Sequence, residues 1–395
     1  MKILFLTSRL PFPPDRGDRL RAFNVIKHLS ANGHEIHLAS FVCSRREREV
    51  SGSLRAYCKS MTLVNQSPLS SWLSCARRLP GAIPLQVAYY ESPEMARAVR
   101  ERLAREDFDL VYVHLFRMAQ FVPDRAPCYK LVDFTDVISR EIERSLPYRR
   151  GINRRIYSTE LPRVRAYEAS LARSFDECWV VSEAEAGALR EMSGSANVRV
   201  IPNGVDLERF TPSQTRPSNI VTFVGHLGVP HNVDAVLHFY NEIFRIIRKE
   251  RPDCRFCVIG PGLHPSLKRL KKDKQVLVMG FVEDLNATLN RSAVFVAPLR
   301  YCAGLQNKVL EAMAAGVPVV ATPCVNEGLG AKDEEEIALA AEPWEFAARV
   351  VTLMEDIPLQ RYISANGRKF VERNFTWRLA TDRIAEIARE RKLPG

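Results

Sequence analysis

Between residues 297 and 322 the sequence APLRYCAGLQNKVLEAMAAGVPVVAT reads as strand, glycine-containing loop, helix, tight turn and strand. Gly304 frees the backbone ahead of the helix, Asn307 is placed to cap it, and the amides of Leu305 and Gln306 point at an anion on the positive end of the helix dipole. Lys308 lies in the first turn and Glu311 three residues on, so one helical face carries a cation and a carboxylate roughly 5–6 Å apart at Cβ. A diphosphate at the helix start and a ribose one turn along suit that pair; an exposed Lys308–Glu311 salt bridge is the alternative. A second loop, SRLPFPPDRGDRLR, puts Gly17 before a helix capped by Asp18 and followed by Arg19 and Arg21. It suits a phosphate-bearing ligand, or is a plain turn with solvated arginines. It lacks GxGxxG, which disfavours a dinucleotide held in the usual way.

Both loops need parallel strands to present them. Short β-branched or Leu/Phe-rich runs alternate with longer helical patterns, the form of a sheet covered on both faces. Strands are predicted at 2–7, 35–41, 61–64, 109–114, 129–133 and 178–181, and again at 220–225, 255–260, 276–280, 293–297 and 317–321. Helices are predicted near 19–32, 45–58, 92–106 and 137–174, then near 232–250, 265–272, 284–291 and 307–315. IPNGVD at 201–206 marks a hinge, because Pro202 stops the preceding strand and Asn203-Gly204 supplies turn residues. The expectation is one Rossmann-like domain over 1–200, a second over 201–375, and a terminal helix over 376–395 packing back on the first. Ligands of such sheets bind outside the carboxyl ends of the strands.

At 395 residues, with 46% hydrophobic and 26% charged side chains, the chain is an ordinary globular one of two or three domains. The net charge of +11 is lopsided, since residues 1–200 hold 31 basic and 23 acidic side chains. An anionic partner for the first half follows. Nine scattered cysteines point to a reducing compartment rather than a disulfide framework. Cys254 and Cys257 form a CxxC in an apolar strand, which favours buried thiols over zinc. The apolar run in MKILFLTSRLPF is too short for a secretory signal, and no stretch approaches the roughly 18 apolar residues of a spanning helix. A cytoplasmic protein is expected, peripheral at most on the inner face of the plasma membrane.

IPNGVD, GFVEDL at 280–285 and the LEAMAAGVPVVAT block, in that order and spacing, resemble the retaining, nucleotide-sugar-dependent glycosyltransferases of family 4. PLRYCAGLQNKVLEAMAAGVPVVATP looks most like the sugar transferases of exosortase/PEP-CTERM exopolysaccharide clusters. The resemblance implies the GT-B fold, two doubly wound α/β domains facing a cleft. It implies that Glu311 accepts the donor ribose hydroxyls and that Gly304, Leu305 and Gln306 hold the diphosphate and sugar, with Asn307 and Lys308 beside them. Phe281 and Val282 match the lining of the nucleobase pocket. Gly17 and Asp18 stand where the first domain's glycine pair approaches the donor phosphates, Arg21 matches a family arginine, and His114 matches a histidine near the reacting centre. For His114 a structural hydrogen bond at a strand end is the alternative.

Four positions depart from the family pattern. Ala303 stands in place of the first of two glutamates, His226 and His231 replace a basic pair, and Asp18 replaces the second glycine. Histidines stabilise a leaving diphosphate less than Arg and Lys do. For the glutamate missing at Ala303, Asn307 and Lys308 are expected to substitute. Catalysis then rests on charge stabilisation by loop amides, Lys308 and Arg21. The expected donor is a UDP- or GDP-linked sugar, no further cofactor is needed, and the expected acceptor is a saccharide or a polyprenyl-diphosphate-linked one. The nearest thing to a metal-binding DxD is DFTD at 133–136, so metal independence is expected, with Asp133 and Asp136 placed on the acceptor side.

The densest basic patch, residues 140–173, has nine arginines against four glutamates with Tyr148, Ile152, Ile156, Tyr157 and Leu161 interleaved. It suits anionic lipid headgroups, or is a solvated face of its own domain. Nucleic acid is disfavoured, because no recognition motif accompanies the charge. A sugar-nucleotide 2-epimerase and a non-catalytic sugar-nucleotide-binding protein are the competing functions.

Overall fold

The computed structural model describes residues 1–213 and 219–392; the end of the expected terminal helix, 393–395, lies outside the described residues. The chain divides into two compact units, Met1–Pro202 with Trp377–Gly395, and Asn203–Thr376.

Unit 1 is built on strands β1 (Lys2–Thr7), β2 (Glu35–Val42), β3 (Ser60–Asn65), β4 (Leu110–His114), β5 (Tyr129–Thr135), β6 (Glu177–Val180) and β7 (Val198–Val200). They pair in the order β3-β2-β1-β4-β5-β6-β7, every pair parallel. Side chains alternate across a strand, so a sheet covered on both faces needs apolar residues at every position. Ile3 and Phe5 accordingly enter one core with Val25, Ile26 and Leu29 of helix Gly17–Ala31, while Leu4 and Leu6 enter the other with Met95 and Val99 of helix Pro93–Arg105. The terminal helix Arg378–Lys392 belongs to this unit. Its Ala380, Ile384 and Ile387 join the first core, and Arg383 binds Glu177 of β6.

Unit 2 carries β8 (Ile220–Val224), β9 (Arg255–Ile259), β10 (Val276–Met279), β11 (Val294–Ala297), β12 (Val319–Ala321) and β13 (Ala338–Leu339), in the order β10-β9-β8-β11-β12-β13, again parallel. In both sheets the strand order reverses once, between β1 and β4 and between β8 and β11. A crevice opens beyond the carboxyl ends of strands at such a reversal. The loops that follow these four strands are therefore the ones placed to bind.

Some elements differ from expectation. The helix foreseen over 137–174 is two, Ile138–Ser145 and Gly151–Ser174, separated by a short turn at Leu146–Tyr148 that contains Pro147. Helices Pro68–Arg78, Glu183–Ser193 and Pro323–Leu329 and the edge strand β13 have no counterpart in the sequence reading. Among the described residues no helix is long and apolar enough to cross a membrane.

Candidate active site

In unit 2 the loop after β11 leads into helix Asn307–Ala314. Gly304 has φ +61°, and Gly328 packs so closely on it that a Cβ there would sit 2.2 Å from the Gly304 carbonyl oxygen. The N–H groups of Leu305, Gln306, Asn307 and Lys308 find no acceptor among the described residues. Four amide donors at a helix start form an anion site. Asn307 does not cap the helix as expected: Gln306 holds the cap position, and Asn307 is the first helical residue, its Oδ1 accepting from Asn203 Nδ2 at 2.9 Å.

Lys308 and Glu311 do not form the exposed salt bridge either. Both are half-buried, and Lys308 Nζ donates to Asn232 Oδ1 and lies 5.0 Å from the Phe223 ring centre. Burial lowers the Lys308 ammonium to about 8 against the opposing pull of Cys302 and Glu311. Burial raises the Glu311 carboxyl to about 7, with Arg209 and Lys308 opposing. The Glu311 carboxylate accepts no hydrogen bond among the described residues. A half-buried carboxylate with open lone pairs, one turn from a set of open amide donors, is arranged for a ligand's hydroxyls.

The loop after β8 supplies His226, half-buried, whose Nδ1 accepts from the Gly228 N–H at 3.2 Å. Its Nε2 is thus the ring donor. A Cβ at Gly262 would lie 2.4 Å from this ring, so only glycine fits beneath it. Asn232 connects the two loops, donating to the His226 carbonyl at 3.2 Å while accepting from Lys308. His231 is no substitute cation, because burial and then Lys308 push its pKa down to about 3. Phe281 and Val282 follow β10, with the Phe281 ring 73% exposed. Cys254 and Cys257 are buried thiols. A cavity of about 650 Å³ in this unit, lined by Gly316, Gln360, Arg361 and Arg368, contains none of these residues.

Unit 1 corrects three expectations at the β1/β4 reversal. Asp18 is not the helix cap, which is Arg16; it sits in the first turn behind Gly17, with Oδ2 3.0 Å from Arg9. Burial would raise its pKa, but Arg9, Arg117 and His114 hold it below the usual range. Arg21 does not face an anion at the surface. It is fully buried, its Nε 2.6 Å from Asp133 Oδ2, and Tyr112 donates to the same oxygen. Asp133, expected on the acceptor side, is likewise inaccessible.

His114 is 2% exposed, with Nε2 2.9 Å from the Asp18 carbonyl and Nδ1 3.6 Å from Asp133. That is the structural hydrogen bond weighed as its alternative. Leu115 and Thr135, next to this cluster, hold φ of +69° and +63°, backbone strain of the kind that concentrates at functional sites. Asp136 stays half-buried at the same strand end, its carboxyl raised by burial and by Glu185 and Glu141. Arg9 and Arg117, which no motif marked, lie here beside Asp18.

The sequence pattern described as Glycosyltransferase Family 4 matches residues 20–209, and that of glycosyl transferases group 1 matches 218–356. The chain is a family 4-like glycosyltransferase of the GT-B fold. HepE of Anabaena, solved in complex with UDP-glucose, superposes with a TM-score of 0.71 at 18% identity over 99% of this glycosyltransferase and 100% of HepE. A 44.6 kDa protein of the cps region of Klebsiella pneumoniae is 22% identical over 95% of this chain and 96% of its own. The Escherichia coli UDP-Gal:α-D-GlcNAc-diphosphoundecaprenol α-1,3-galactosyltransferase is 32% identical over 31% of this chain and 36% of its own.

Motif reading of this glycosyltransferase missed Asn232, Arg209 and Gly328, and gave Asn203 only a turn role. Arg209 stands just after the IPNGVD turn, and no spacing rule links it to Glu311. The contact of Gly328 with Gly304 is visible only in three dimensions. Among the described residues no group of three or more His, Cys, Asp or Glu is placed to hold a metal ion.

Proposed function

We propose that the enzyme transfers a sugar from a UDP- or GDP-linked donor to a polyprenyl-diphosphate-linked saccharide in exopolysaccharide or glycolipid assembly, with retention of configuration and without a metal ion. Unit 2 holds the donor and unit 1 the acceptor. The observation that carries this is the open amide quartet at 305–308 with Lys308 beside it and Glu311 one turn on. UDP-glucose in HepE and the diphosphoundecaprenol-linked substrate in the name of the Escherichia coli relative support the donor and acceptor classes.

The bond from the anomeric carbon to the diphosphate oxygen breaks, and the amides and Lys308 take up the charge that appears on the departing phosphate. The acceptor hydroxyl attacks from the same face and gives its proton to that phosphate. Phe281 and Val282 line the base, and His226 Nε2–H donates to the donor phosphates. The basic patch at 140–173 rests on anionic lipid.

Glu311→Ala tests the ribose contact by titration calorimetry with UDP and GDP. Loss of two hydrogen bonds to a carboxylate predicts a Kd raised roughly 30- to 150-fold, about 2–3 kcal/mol. An unchanged Kd would sink the assignment. The fold should not suffer. Between the ordinary 4.5 and about 7 the folded chain keeps a proton on Glu311 that the unfolded chain has released, so stability from this group is lost as pH rises through 7. Glu311→Gln should therefore melt no lower than the native chain at mildly alkaline pH.

The same two groups predict a bell-shaped kcat/KM against pH. Activity rises as Glu311 ionises near 7 and falls as Lys308 loses its proton near 8. Lys308→Arg, whose guanidinium stays charged, should remove the alkaline limb. Persistence of that limb would assign it to another group.

A further inference from the structure

Helix Pro68–Arg78 lies on unit 1 with its polar side inward. At 100° per residue Ser67, Ser70, Ser71 and Ser74 share one face, and Leu69, Trp72 and Leu73 the opposite one. In a helix packed on a core the apolar face is buried. Here Ser71 and Ser74 are buried, while Leu69, Trp72 and Leu73 are 72%, 67% and 59% exposed. The serine face lines a cavity of about 470 Å³ with Asn65 and Gln66 from the end of β3 and with Phe41, Tyr89 and Tyr90, and Leu73 reaches its edge. The arrangement is held in place: Arg78 pairs with Glu91 at 2.8 Å, and Arg163 of helix Gly151–Ser174 donates to the Leu79 carbonyl at 2.5 Å.

On that second helix Ile152 and Ile156, 68% and 43% exposed, share a face by their spacing with the buried Glu160 and with Arg163. Arg150, Arg154 and Arg155 around them are exposed and make no ion pair or side-chain hydrogen bond among the described residues. Apolar side chains ringed by unpaired guanidinium groups fit an anionic bilayer interface. Charge disfavours a second copy, because an isologous pairing of this face would bring the same arginines together.

We propose that helix Pro68–Arg78 and the first turns of helix Gly151–Ser174 dock the enzyme on a membrane, with Leu69, Trp72 and Leu73 seated among the acyl chains of anionic lipids. The inference rests on the lipid-linked acceptor reading. Its test uses neither donor nor acceptor, so a chain that binds vesicles yet transfers no sugar separates the two.

The full chain is sedimented with phosphatidylcholine vesicles with and without phosphatidylglycerol. The native protein should partition onto the phosphatidylglycerol vesicles, less so at high salt. The combined Leu69→Ser, Trp72→Ser and Leu73→Ser variant should lose at least about tenfold in partition, and combined Arg150→Gln, Arg154→Gln and Arg155→Gln should weaken binding only where phosphatidylglycerol is present. Since all these side chains are exposed, melting temperatures should be unchanged. In a Trp344→Phe background, Trp72 emission should shift to shorter wavelength on adding vesicles. Unaltered binding by the serine variant, or unshifted emission, would overturn the proposal. So would a native dimer that ignores vesicles and becomes a monomer in the serine variant.

Discussion

Lys308→Met is expected to lower kcat by about a hundred- to a thousandfold, the usual cost of removing one preorganised donor to a developing oxyanion. The ammonium is half-buried at the head of helix Asn307–Ala314, so its charge acts with little screening. Its only protein acceptor among the described residues is the neutral Asn232 amide, and burial has lowered it to about 8. It is held for an anion rather than consumed by one already present. Methionine keeps most of the stem that covers Phe223, so the substitution should be read in kcat and far less in melting temperature. Stopped-flow or steady-state nucleotide release with saturating donor measures it; a kcat within threefold of native would remove Lys308 from the reacting centre.

Arg21→Met should destabilise unit 1 by about 3–5 kcal/mol, a fall of order 10 °C in Tm. Asp133 is fully buried. Burial alone would raise its pKa, but the Arg21 guanidinium and then His114 more than reverse this, and the carboxylate stays ionised well below the usual range. Removing Arg21 leaves that charge in the core with the Tyr112 hydroxyl, the Thr135 N–H and the His114 ring around it but no guanidinium. A depressed carboxylate pKa contributes stability above its unfolded value near 3.8 and loses it as pH falls. The gap between native and variant should therefore narrow in acid. Arg21→Met with Asp133→Leu should recover much of the loss, since a buried pair replaced on both sides leaves no lone charge. If the single variant melts with the native chain, the pair is not structural, and Arg21 returns to consideration as a phosphate ligand.

These two lysine and arginine outcomes mark where the sequence is readable. Strands β1, β2, β4, β8, β9 and β11 announce themselves because both faces are buried, and a run such as KILFLT then has no polar register to confuse it. The donor loop is readable for a local reason: glycine, helix start, cation and carboxylate lie within eight residues, so short-range geometry nearly determines it. Arg21 is different. Its partner Asp133 is 112 residues away, and a basic residue in a first helical turn looks the same whether it meets solvent or a buried carboxylate. Arg117 escapes notice for the same reason, since its guanidinium meets Ser8 109 residues away. Helix Pro68–Arg78 is hidden by inversion: SPLSSWLSCARR has helical periodicity, but its serine-rich face is the one that packs inward, against the ordinary rule.

The claim on which all of this depends is that the chain moves a sugar from a nucleotide to an acceptor. UDP-, GDP- and ADP-sugars incubated with the enzyme in excess EDTA, with and without a polyprenyl-diphosphate-saccharide acceptor, test it in one assay scored for free nucleotide and for altered donor. Nucleotide should be released from a UDP- or GDP-sugar only when the acceptor is present, with the donor's anomeric configuration kept in the product. Epimerised donor formed without acceptor would contradict it, as would no turnover of any donor by a protein whose melting temperature UDP or GDP still raises.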